Sequence, residues 1–139
     1  MNRSSFEVME HTADAGIVAH GGTLGEAFEQ TAMGMYALMV DLDDVRETEV
    51  REVTAGGETP ETLLLHWLLE LLFLTETESL LFSRFEVRVL GGKLSSRAYG
   101  EPLDSERHEL GAGIKGVTRH LLEVAPEDGG YRARVLFDI

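Results

Sequence analysis

The chain has 139 residues, 43% of them hydrophobic, and no cysteine. That is enough for one domain with its own core, and it excludes a disulfide framework and any thiolate metal site. Acidic residues number 25 against 12 basic ones, a formal charge of −13, so the surface repels phosphate backbones and suits cations or a basic protein partner better than RNA or DNA.

Residues 1–5 carry no apolar signal core. The most apolar run, 63–74, is interrupted by His66 and Glu70 and falls short of the roughly 20 helical residues that cross a bilayer. No membrane association is expected, and a cytoplasmic location is the simplest expectation. Residues 6–10 read as a first strand and 16–20 as a second, joined by the polar turn His11-Thr12-Ala13-Asp14-Ala15 and closed by Gly21-Gly22. Thr23-Leu24-Gly25-Glu26 has the form of a capping box. Leu24, Ala27, Phe28, Thr31, Ala32, Met35, Tyr36 and Met39 then make one helical stripe, which Asp41-Leu42-Asp43-Asp44 closes. Residues 45–53 form a charge-rich strand suited to a sheet edge.

Thr59 as N-cap and Pro60 at the first helical position open a second helix. Its leucines point almost all round, which predicts a place in the centre of the helical layer. Residues 85–89 alternate strictly, Gly91-Gly92 is a two-residue hairpin signal, and 94–99 return. Residues 101–108 form a polar connection, and 114–124 with 131–139 make a last hairpin around 126–130. No repeat, linker or low-complexity stretch interrupts the pattern. The expected fold is a single α+β domain over 1–139, a two-layer sandwich with a mostly antiparallel sheet of about six strands packed with two main helices.

Two constellations could carry chemistry. The last residues alternate as a half-buried strand with no polar tail after them, which predicts that the α-carboxylate of Ile139 lies against the body of the protein beside Asp138. Two negative groups 4 Å apart repel by about 4 kcal/mol at an effective dielectric near 20, so a cationic side chain or a hard metal ion is expected there. If the second and last strands are neighbours, Asp14 joins Asp138 and Ile139 in a set of oxygen donors. Such a set suits calcium or magnesium, with water and carbonyls completing the shell; zinc and manganese also accept Asp oxygens. The plain alternative is that Asp14 supports its own turn and Asp138 faces water.

The second constellation is Glu101 and Asp104 with His108, followed by Lys115, Thr118 and His120; carboxylate, imidazole and ammonium together can do acid–base work. Lys115, one of two lysines, is expected opposite the C-terminus and competes with a metal for the role of counter-charge. A solvated loop is the alternative for Glu101, Asp104 and His108, and a partly buried structural role that for His120. A phosphate-binding loop, a Gly-x-Ser-x-Gly elbow and zinc-protease histidine spacing are all missing. A small metal-dependent hydrolase built on Asp14, Asp138 and His108 lacks a nucleophile and a base in this pattern.

His11-Thr12-Ala13-Asp14-Ala15-Gly16-Ile17, Gly100-Glu101-Pro102-Leu103-Asp104 with His108, Ile114-Lys115-Gly116-Val117-Thr118-Arg119-His120 and Gly130-Tyr131-Arg132-Ala133-Arg134-Val135-Leu136-Phe137-Asp138-Ile139, in that order, resemble the archease family over nearly the whole chain. Arg119 stands where the family usually has tyrosine, and Gly116 where alanine is common. The resemblance implies a non-catalytic accessory protein that promotes guanylylation and multiple turnover of a GTP-dependent RNA ligase in tRNA splicing and RNA repair. It also implies a divalent metal, usually calcium, held by Asp14, Asp138 and Ile139. Glu101, Asp104, His108 and Lys115 are expected on a partner-facing surface. An alternative within the family is a chaperone or modulator of a tRNA methyltransferase.

Overall fold

The computed structural model describes residues 4–10 and 14–139. Their order is β1 (Ser5–Glu10), β2 (Asp14–Gly21), α1 (Leu24–Met39), a 3-10 turn (Leu42–Asp44), β3 (Glu49–Gly56), α2 (Pro60–Glu78), β4 (Leu80–Leu90), β5 (Lys93–Pro102), β6 (Gly116–Glu127) and β7 (Gly130–Asp138). The expected α+β sandwich is present. Its strands divide into two antiparallel sheets, β1-β2-β7-β6 and β3-β5-β4.

Local chemistry sets the boundaries. Thr23 Oγ1 accepts the Glu26 N–H at 3.1 Å, and Thr59 Oγ1 accepts the Thr62 N–H at 3.1 Å with Pro60 opening the helix behind it. Each cap satisfies an amide that the first helical turn leaves unpaired. Gly91 takes the left-handed φ of 62° that the β4–β5 turn requires. The charge-rich strand β3 is indeed an edge, although residues 45–48 remain outside it because the 3-10 turn precedes them.

The helices join the two sheets. α1 packs on β1, β2 and β7 of one sheet and on β4 of the other, and α2 on β6 of the first and on β3, β4 and β5 of the second. One core results, with Ile17, Phe28, Met35, Tyr36, Trp67, Leu68, Phe82, Phe85, Val135 and Phe137 in a single cluster. Each helix also closes a sheet edge: Glu29 on α1 accepts the Val87 N–H of β4 at 2.9 Å, and Glu61 on α2 accepts the Val124 N–H of β6 at 3.0 Å. Edge amides paired in this way cannot recruit another strand. The helix predicted for the centre of its layer, α2, instead keeps one stripe in solvent, where Leu69 and Phe73 are exposed.

Candidate functional site

β2 and β7 are hydrogen-bonded neighbours, and their register sets Asp14 directly opposite Asp138. On the other side of β7, Asp138 is opposite Gly116 of β6. Alternation explains the placement. Ile17 and Ala19 of β2 and Ala133, Val135 and Phe137 of β7 point into the core, so the residues of opposite parity, Asp14 and Asp138 among them, lie on the outer face. Directly opposed side chains on one face have Cβ atoms about 5 Å apart, and like charges there are destabilising. Asp14 is half-buried, Asp138 is exposed, and Ile139 is 37% exposed.

Lys115 reaches the end of β7 as expected, but without pairing its charge to the carboxylates. Its backbone N–H donates to the Asp138 carbonyl at 2.7 Å, anchored by the preceding Ile114 in the core. Its ammonium is exposed and makes no ion pair within 4 Å among the described residues. A Cβ added at Gly116 would meet nothing within 4 Å, so the row Asp14–Asp138–Gly116 opens at its β6 end. The donors are carboxylate oxygens, which fit a hard divalent cation in kind and supply part of its shell. A cluster of three or more His, Cys, Asp or Glu able to hold a metal does not occur among the described residues. His11, the suggested neighbour of Asp14, lies outside them.

Glu101 and His108 are not on a surface. Both are buried, at 6% and 3% exposure, in a knot that the polar sequence of 101–108 did not reveal. One Glu101 oxygen pairs with Arg107; the other accepts the Arg46 backbone N–H at 2.7 Å and meets His108 Nε2 at 2.9 Å. His108 Nδ1 accepts the Asp104 N–H at 2.9 Å, which places the ring proton on Nε2, facing the carboxylate. Burial pushes the Glu101 carboxyl upward, but the hydrogen bonds from Arg107, the Arg46 amide and His108 outweigh it and hold the group down at about 2. Asp104 is occupied by its own turn: its Oδ1 accepts the Glu106 N–H at 3.0 Å and its carbonyl the His108 N–H at 2.7 Å.

The knot and the carboxylate pair are ends of one strap. From Asp104 the chain crosses the C-terminus of α1, where the N–H groups of Gly111 and Ala112 donate to the Met39 and Leu38 carbonyls at 2.7 and 2.9 Å. Val40 and Leu110 form a β-bridge beside them, and the strap then delivers Lys115 to Asp138. Sequence reasoning missed Arg107, which also donates to the Asp44 carbonyl at 2.8 Å; its signal was a cation next to a histidine in a segment read as solvated. It also missed a bulge in β6, where Thr118 faces Leu136 but Glu123 already faces Arg134. Leu121 takes φ of 59° there, pinned by the Arg134 Nε–H to its carbonyl at 2.8 Å, and His120 is exposed.

Residues 6–139 match the model of the Archease protein family (MTH1598/TM1083). The chain is 41% identical over 139 residues to the protein archease of Pyrococcus abyssi, covering 96% of this chain and 98% of that one. It is 41% identical over 138 residues, with the same coverage, to the protein archease of Methanothermobacter thermautotrophicus. The solution structure of Methanobacterium thermoautotrophicum protein 1598 superposes with a TM-score of 0.87 at 40% identity, covering 97% of this chain and 99% of that chain. The crystal structure of an archease from Thermotoga maritima, described as a possible chaperone, shares the fold with a TM-score of 0.61 at 22% identity, covering 96% of each chain.

Proposed function

Since this chain belongs to the archease family, we propose that it is a non-catalytic accessory protein that activates a GTP-dependent RNA ligase, with Asp14, Asp138 and the Ile139 carboxylate as the centre of its working surface. The observation that carries this reading is the register of β2 against β7, which sets two like-charged carboxylates opposite one another on an outer face. Structural economy does not account for that arrangement, because opposed like charges cost stability. A divalent cation, calcium by preference and magnesium, manganese or zinc as competitors, would be held by Asp14, Asp138 and Ile139 and would neutralise their charge.

The residues of this chain then have separate tasks. Asp14 and Asp138 present negative charge to the partner, and the −13 of the whole molecule steers it toward a basic, nucleotide-binding mouth. Lys115, exposed and hooked to Asp138 by its amide, supplies a cation at this end of the sheet, suited to a phosphate oxygen. Glu101 and His108, both buried, hold the strap that positions Lys115, and Asp104, exposed at the start of that strap, remains on the partner-facing side. Binding that favours the nucleotide-receptive state of the ligase would raise guanylylation by population shift.

The test is the rate of ligase guanylylation with the parent chain and with Asp14→Ala and Asp138→Ala. Folded variants are expected to lose most of the stimulation, and undiminished stimulation overturns the reading. The Thermotoga maritima relative's description favours a second reading, a chaperone of a partner such as a tRNA methyltransferase. That activity would survive chelation of divalent ions, whereas ligase activation through the carboxylate site would not.

A further inference from the structure

Phe73 is 58% exposed and Leu69, one turn before it on α2, is 41% exposed. Both lie on the stripe of α2 that faces solvent, with His66 and Glu70, away from Leu64, Trp67, Leu68 and Leu71, which seat the helix in the core. Single exposed apolar side chains are ordinary on a protein surface. This pair is set apart by its surroundings. α2 carries Glu61, Glu70, Glu76 and Glu78 and no lysine or arginine. Glu76 and Glu78 occupy the last turn, where the free carbonyls already present negative charge and a cation would be favourable. Arg51 answers Glu78 at 3.2 Å, but Glu70 and Glu76 have no ion-pair partner among the described residues. An aromatic in water coincides on one face with Glu70 and with Glu76 of the last turn.

We propose that this face of α2 is a docking surface for a basic protein segment, one that lays an apolar side chain against Leu69 and Phe73 and sets lysine or arginine against Glu70 and Glu76. Charge complementarity selects this occupant. A second copy of the chain would bring the same glutamates face to face on two bodies of −13 each, a like-charge juxtaposition that opposes self-association. An amphipathic helix with apolar anchors spaced one turn apart matches the pair in geometry. The inference goes beyond the proposed function, which uses the β2–β7 end and places nothing on α2.

The test is a titration of the isotopically labelled full chain, followed by amide NMR, with a short amphipathic peptide of lysine and leucine and with its glutamate and leucine counterpart. The basic peptide is expected to shift amides of residues 62–77, with an affinity that falls as salt is added. Phe73→Gln and Leu69→Gln should each weaken binding about tenfold or more without lowering the melting temperature, and Glu70→Gln with Glu76→Gln should flatten the salt dependence. Shifts confined to another face, equal response to the acidic peptide, or undiminished binding by Phe73→Gln overturn the proposal. So does a loss of stability in both apolar variants, which would assign the pair to the fold. A dimer centred on α2 in sedimentation would replace the basic segment with a second copy.

Discussion

Glu101 receives an arginine, a histidine and a backbone amide at once, and this concentration of donors makes its ionised form part of the fold. Its carboxyl is held at about 2 against an ordinary value of 4.5. A depressed acid adds stability that is complete above its unfolded value and is lost as the pH falls through the folded one. Acid unfolding should therefore steepen between pH 4.5 and about 2. The full depression corresponds to about 3 kcal/mol, and to about 2 kcal/mol after allowance for water at Arg107, whose side chain is 29% exposed. Glu101→Gln is expected to cost about 2–4 kcal/mol at neutral pH in urea denaturation and to flatten that acid limb. Because the knot positions the strap, the variant should also weaken whatever Lys115 contributes, with Asp14 and Asp138 still in place.

At the scale of elements, helices and hairpins were legible in the sequence because their signals are local: Thr23 and Thr59 as caps, Pro60, Gly91-Gly92, and the alternation of β4 and β7. The pairing of β2 with β7 did not follow from the two hairpins, which leave it a condition; the resemblance to the archease family is what placed Asp14 beside Asp138. The split into two sheets was not legible, since it depends on helix packing between residues distant in the chain. Nor was the knot at Glu101, whose partners Arg46 and Arg107 come from different segments; a polar run looks the same whether water or protein surrounds it. One close approach makes the helix–sheet packing testable. A Cβ at Gly25 would stand 2.6 Å from the Val87 carbonyl oxygen, whereas one at Gly113 would meet nothing within 4 Å. Gly25→Ala should destabilise by about 1–3 kcal/mol, although alanine favours helix. Gly113→Ala should stay within about 0.5 kcal/mol, both read from denaturant midpoints.

For the whole molecule, the excess of acids sets the response to ions. A charge of −13 on 139 residues destabilises the compact state by self-repulsion, so monovalent salt is expected to raise the melting temperature gradually as it screens. Millimolar divalent cation should raise it further, through ligand linkage, and only that second increment should vanish in Asp14→Asn and Asp138→Asn. Equal divalent effects in parent and variants would remove the carboxylate pair from the account. The interior offers its own gauge of such experiments. Trp67, the sole tryptophan, is fully buried between Phe28 and Phe85, and its indole N–H donates at 2.9 Å to Ser96 Oγ, which in turn donates at 2.7 Å to the Val53 carbonyl. Its fluorescence therefore reports from the place where both helices and the three-stranded sheet meet. Emission that moves to longer wavelength signals loss of that junction, while ligands that act only on the rim of the molecule leave the colour unchanged.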